Sequence, residues 1–313
     1  MEAVRHILVG YDGFERGEGI SAAAIEIARR HHAKLHVLNV PPAEPPRGWK
    51  TAKVSSAELH AALVDSRRRR LEQLVADISE AGLETEARVR PGIAHVELIR
   101  EAATVEADLI VVNDEPQHRD GRRGFGTVTA KLLRKSPIPV LAHRDAKTWH
   151  PRRIVAALDV EPSSEQDDRL NLEILQTASA LAQPSGAKVV VFHAWRLWGE
   201  ELLRGRTDGE ELRTLLEDTE QTRRTEVERL IARAGLPKLD VEVEVQKGDA
   251  QRALIGLSDR GEMDVLVMGT LRRSGLPGFI IGNTAERIIN KLGCAILALK
   301  PVDFMTPIDL PSS

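Results

Sequence analysis

The stretches ADLIVVND (Ala107–Asp114) and MDVLVMGT (Met263–Thr270) share one pattern: an acid, a short aliphatic run, then two small or polar residues. The runs do not alternate, which is the mark of a strand buried on both faces. The same offset of 156 residues also relates RPGIAHVELI (Arg90–Ile99) to QKGDAQRALI (Gln246–Ile255). It relates FGTVTAKLLRKSPIPVLA (Phe125–Ala142) to IGNTAERIINKLGCAILA (Ile281–Ala298) as well. Nearer the start of each copy the offset is smaller: RHILVGYD (Arg5–Asp12) faces RRIVAALD (Arg152–Asp159), and AKLHVLNV (Ala33–Val40) faces AKVVVFHA (Ala187–Ala194). A repeat that holds register over separated blocks implies two homologous domains. They are expected at 1–146 and 147–313, the second carrying a C-terminal tail, with the join near Asp145–Pro151.

Each copy has five apolar runs separated by amphipathic segments such as Ile20–Arg30 and Ser55–Glu80. Strand and helix in alternation predict a Rossmann-like α/β fold: a five-stranded parallel sheet with helices on both faces. The third run differs. TEARVR (Thr85–Arg90) and VEVEV (Val241–Val245) alternate, as half-exposed strands do, whereas the first and fourth runs are solidly apolar. Strand three is therefore expected at an edge and strands one and four at the centre, which the order 3-2-1-4-5 satisfies. That order places the switch point, where open α/β sheets bind ligands, between strands one and four. The residues there are Asp12 and Asn113 in the first copy, Asp159 and Gly269 in the second.

Composition narrows the partners. With 313 residues and a net charge of -3, the chain has no overall polyanion-binding character, and 3% aromatic residues leave few stacking surfaces. Nucleic acid is not an expected partner. One cysteine, Cys294, forbids an intrachain disulfide framework and suits a reducing compartment. No apolar run has the length of a membrane span and the N-terminus lacks a signal-peptide core, so a cytoplasmic protein without membrane attachment is expected.

After the second DVLVM run comes GTLRRSGLPGFIIGNTAERI (Gly269–Ile288). A glycine at a strand end lets the backbone approach a ligand. A helix opening after Gly282 would offer free N–H groups to phosphate, with Asn283 and Thr284 as side-chain donors and Arg272 and Arg273 as charge. The same two polar residues would equally serve as a helix cap.

This stretch resembles the nucleotide motif G-x2-G-x9-G-[S/T] of the universal stress protein family. The duplicated pattern resembles the tandem members, and GNTAE (Gly282–Glu286) with the tail KPVDFMTPIDL resembles the universal stress protein E-like branch. The resemblance implies a nucleotide site in the second copy made of Asp159 near the adenosine, Ala194 offering its backbone to adenine, Gly269, Thr270, Arg272, Gly282, Asn283 and Thr284. Arg272 stands where the motif has its second glycine, and Asn283 replaces the final serine or threonine. The expected ligand is ATP or AMP, with or without Mg²⁺. In the first copy Asn113 replaces the first glycine and acidic residues follow it, so no nucleotide, or a different ligand, is expected there. The first copy would also serve as partner in an internal pseudo-dimer through the fifth strands, Ile138–His143 and Ala295–Lys300, with a further homodimer possible. The function implied is stress-response binding or signalling toward an unidentified protein partner. The alternatives are slow Mg²⁺-dependent ATP hydrolysis in the same crevice, or a nucleotide-free protein acting through contacts alone.

Other motifs read differently. GEGISA (Gly17–Ala22) has the dinucleotide fingerprint but lies several residues past its strand and has no acid closing strand two. Arg67–Arg70 fan around more than half a helix, as a solvated face does. His31–His32 have no second ligand cluster and suit a helix end. His193 closes strand two, either against a ligand or as a satisfied histidine near the surface. No nucleophile elbow, zinc spacing or P-loop is present, so no catalytic residue is assigned.

Overall fold

The computed structural model describes residues 4–12, 20–44, 55–113, 125–143, 148–160, 165–236, 241–270, 283–289 and 291–311. The chain divides into two compact units: one spans His150–Phe304, and the other holds the residues before it together with those from Met305 onward.

In the first unit the elements are β1 (His6–Gly10), α1 (Ala22–His31), β2 (Lys34–Asn39), α2 (Ser56–Glu80), β3 (Thr85–Val89), α3 (Ala94–Thr104), β4 (Leu109–Asn113), α4 (Thr127–Lys135) and β5 (Val140–His143). The strands are parallel in the order β3-β2-β1-β4-β5, as expected from the hydrophobic patterns. Burial repeats the argument. The interiors of β1 and β4 are wholly buried, while β3 alternates between covered and exposed residues. Ser55 caps α2 in a reciprocal box with Glu58, which satisfies two backbone donors at once. His32 ends α1 in the left-handed conformation at φ 52°, the helix-end role its sequence suggested. Thr306 donates to the Lys135 carbonyl at 2.8 Å and Arg100 to that of Asp309 at 3.0 Å, so the tail bonds within this unit.

The second unit has β6 (Arg153–Ala157), α5 (Glu165–Ala182), β7 (Lys188–Trp195), α6 (Glu200–Arg204), α7 (Gly209–Ala234), β8 (Val241–Lys247), α8 (Ala250–Asp259), β9 (Val265–Gly269), α9 (Asn283–Ile289) and β10 (Ala295–Leu299). Its parallel order, β8-β7-β6-β9-β10, matches the first unit strand for strand. The highly charged stretch after Asp208 forms α7. Asp208 caps α7 by accepting from the Glu211 N–H, and only a narrow stripe including Val227, Leu230 and Ala234 is buried. Asp168 of α5 pairs with Arg229 and Arg233 of α7 and fixes the two helices together. Among the described residues no helix is long and apolar enough to cross a membrane.

One device appears twice. Asp108, just before β4, accepts from the Arg5 and His6 N–H groups at 2.6 and 2.9 Å. Asp264, just before β9, accepts from Arg152 and Arg153 at 2.8 and 2.9 Å. The acid that opens each fourth-strand motif thus ties the two central strands where β1 and β6 begin.

Candidate functional site

Strand register builds the site. Ala157 pairs with Phe192 on one side and Met268 on the other, and Gly269 pairs with Leu299. Ala194 lies near the end of β7, Asp159 two residues past β6, and Thr270 and Lys300 one residue past β9 and β10. All four therefore stand at the carboxyl ends of neighbouring strands, on either side of the switch point between β6 and β9. Gly269 sits one residue before Thr270, in the row of His193, Leu158 and Leu299. Asn283 and Thr284 are the first residues of α9, as the sequence suggested. Their side chains, and Arg272 and Gly282 altogether, lie outside the described residues.

Asp159 is exposed, and its backbone is held by a residue that sequence reasoning missed. Asn171 of α5, 3% exposed, donates from Nδ2 to the Asp159 carbonyl at 2.8 Å. It accepts the Asp159 N–H on Oδ1 at 3.2 Å. A buried amide that uses both ends on one residue fixes the turn after β6 and the direction of the chain leaving it. No local motif marks Asn171, because its partner is in another element.

His193 is resolved in favour of the structural role. It is 1% exposed, and its Nδ1 bonds the Leu158 carbonyl at 3.1 Å. Because the carbonyl can only accept, Nδ1 carries the proton. The first unit does the same with a different residue: Asn39 donates to the Tyr11 carbonyl at 2.6 Å. An arginine stands over each pair. Arg67 donates to Asn39 Oδ1 at 3.1 Å, and Arg223 to the Val160 carbonyl at 3.2 Å. This corrects the reading of Arg67–Arg70 as a uniformly solvated face. Arg68, Arg69 and Arg70 are exposed, but Arg67 is half-buried and turned inward.

Gly269 has a packing reason beside any ligand. A Cβ there would lie 2.8 Å from Leu170 Cδ2 of α5. In the first unit the corresponding place is filled by Asn113, whose Oδ1 is buried and has no hydrogen-bond partner among the described residues. Its register partner His143 meets Ser21 Oγ at 3.4 Å and the Trp149 ring edge-on at 4.9 Å. The first unit therefore offers polar groups at the level where the second offers Leu158, Gly269 and Leu299.

Lys300 was not assigned from sequence. It is 7% exposed, donates to the fully buried Thr270 hydroxyl, and lies over the Phe304 ring with Nζ 5.3 Å from the centroid. Burial pushes its pKa down to about 7. Among the described residues no cluster of ligands for a metal ion forms.

A parallel strand order and an aspartate device that both recur in the second unit describe a duplicated domain, and comparison with known proteins gives it a family. The model of the universal stress protein family matches residues 3–144 and again 151–300. This chain belongs to the universal stress protein family. A universal stress protein E homolog from Haemophilus influenzae is 25% identical over 246 residues, 78% of this chain and 79% of the relative. A universal stress protein from Mycolicibacterium smegmatis is 24% identical over 94% of this chain and 97% of its own. Among solved structures, a functionally unknown protein from Pseudomonas aeruginosa superposes with a TM-score of 0.71 at 24% identity, covering 96% of this chain and 94% of that one. A universal stress protein from Archaeoglobus fulgidus gives 0.59 at 16% identity, with 96% and 99% covered. At these identities the structural likenesses establish the fold alone. The two matches of the family model are the two sequence repeats, so this is a tandem universal stress protein.

Proposed function

We propose that the second unit binds an adenine nucleotide, ATP or AMP, at the carboxyl ends of β6, β7 and β9, and that the occupied and empty forms present different surfaces to a protein partner. The observation that supports this reading is the adjacency of β7, β6 and β9, whose carboxyl ends lead to Ala194, Asp159 and Thr270 on either side of the switch point. In this arrangement the Ala194 backbone meets the adenine edge and Asp159 accepts from the ribose hydroxyls. Gly269 and Thr270 begin the phosphate side, which continues to Arg272, Gly282, Asn283 and Thr284. An acid suits ribose because a carboxylate only accepts and a hydroxyl donates. The first unit, with Asn113 in place of the glycine, is assigned no nucleotide.

The test is isothermal titration of the full chain with ATP, AMP and adenosine, beside mass spectrometry of small molecules released on denaturation. Binding of one nucleotide per chain, weakened at least tenfold by Asp159→Ala, is expected. No heat with any of the three ligands and no nucleotide released would overturn the proposal. Divalent-ion-dependent release of phosphate from the same sample would move the reading from binding protein to slow hydrolase.

A further inference from the structure

Lys300 follows β10 at the same end of the sheet as Ala194, Asp159 and Thr270. Extending the Leu299–Gly269 pair by one residue sets Lys300 beside Thr270, and the Thr270 N–H reaches the Leu299 carbonyl at 3.2 Å. The side chain follows the backbone inward: the Lys300 ammonium donates to Thr270 Oγ1, with Phe304 on its other side. Lysine is among the residues least often buried, because removing an ammonium from water is costly. Here the buried ammonium stands at the carboxyl end of the sheet, beside the residue that follows the strand-four glycine.

We infer that Lys300 is a phosphate-binding residue of this crevice, exchanging its bond to Thr270 for a charge-assisted bond to a phosphate oxygen when ligand arrives. The inference rests on the nucleotide reading of the same crevice. The Thr270 hydroxyl, which accepts from Lys300 in the structure, can then donate to the same phosphate, since a hydroxyl can do either. With its pKa near 7, the amine is readily held in its charged form by an adjacent anion.

The experiment compares the full-length chain with Lys300→Met and Lys300→Gln, titrating each with ATP, AMP, adenosine and inorganic phosphate. Glutamine keeps a donor for Thr270 but no charge, so it separates the tie between β9 and β10 from the ligand's charge, and it serves if the methionine variant fails to fold. Both variants are expected to lose tenfold to a hundredfold in ATP and AMP affinity, with adenosine affinity unchanged within about twofold. ATP affinity equal to that of the unaltered chain in Lys300→Gln overturns the inference. So does an equal loss for ATP and adenosine, which marks a structural role. If the unaltered chain binds adenosine and ATP equally well, the nucleotide reading stands and the lysine assignment fails. If it binds no nucleoside or nucleotide, the nucleotide reading fails. Inorganic phosphate bound by that chain and lost in both variants would then still place an anion on Lys300, and its absence would remove the assignment.

Discussion

Replacing Asn171 by alanine tests how the second unit holds its candidate site. Asn171 is 3% exposed, and both ends of its amide are engaged by the Asp159 backbone at 2.8 and 3.2 Å. Each bond contributes about 1 kcal/mol net, and the exposed Asp159 side chain leaves its backbone partly able to find water instead. Truncation also empties the space of three heavy atoms in a packed helix–strand contact, adding about 1 kcal/mol. The expected loss is about 2–3 kcal/mol, equivalent to roughly 5–10 °C in Tm for a unit of this size. Urea unfolding followed by tryptophan fluorescence measures it, with Trp195 reporting from β7 beside the site. Amide exchange supplies the local readout, because the Asp159 N–H is the donor to Asn171 and must lose its protection in the variant. A loss below about 0.5 kcal/mol with unchanged m-value, or unaltered protection of that amide, refutes the reasoning. Asn171→Asp keeps the acceptor and loses the donor. It should cost at least as much in stability as alanine, because a buried carboxylate oxygen would face the Asp159 carbonyl, and weaken nucleotide binding more, because it sets a second carboxylate beside Asp159 and the phosphates.

Three further outcomes follow from the geometry. Asp264→Ala removes both bonds to the start of β6 and should destabilise the second unit by about 1–2 kcal/mol, at the low end for charged partners because the site is near water; thermal unfolding of Asp264→Ala and Asp108→Ala should each show one unit weakened. His95 is buried on α3, and desolvation, with Lys131 and Lys135 nearby, lowers its pKa to about 4. The folded protein therefore refuses a proton that the unfolded chain takes up below about pH 6.5, so stability falls as pH drops through that value, by about 2 kcal/mol at pH 5. His95→Gln should flatten this part of the pH profile, and an identical pH slope in the variant would exclude the histidine as its source. Gly10→Ala would place a Cβ 2.9 Å from Val112 Cγ1 and 3.2 Å from both Leu98 Cδ atoms. It should cost about 1–3 kcal/mol by urea unfolding. Gly269→Ala meets one leucine tip and should cost less.

The sequence by itself determined the duplication, the parallel α/β class and the strand order of both units, because these depend on what a strand's neighbours cover. A strand buried on both faces must be apolar throughout, as DLIVV is, and an edge strand such as TEARV is free to alternate. The switch point, and with it Asp159 and Gly269, followed from that order alone. The resemblance to the universal stress protein family then supplied Ala194 and Thr270, which stand at the same end of the sheet as Asp159. Tertiary structure decided where side chains from distant elements converge. Asn171 on a helix and Lys300 at the end of the last strand carry no local pattern that marks them as site residues. Arg67 has three arginine neighbours, and the sequence pattern did not show which of the four would turn inward; the packing of α2 against the sheet selected it. His193 and Asn39 share no side-chain chemistry and still do the same work, bonding the carbonyl of the residue after the first strand. Periodicity reports which face of an element is covered, and the partner that each polar group finds is fixed only when separate elements pack together.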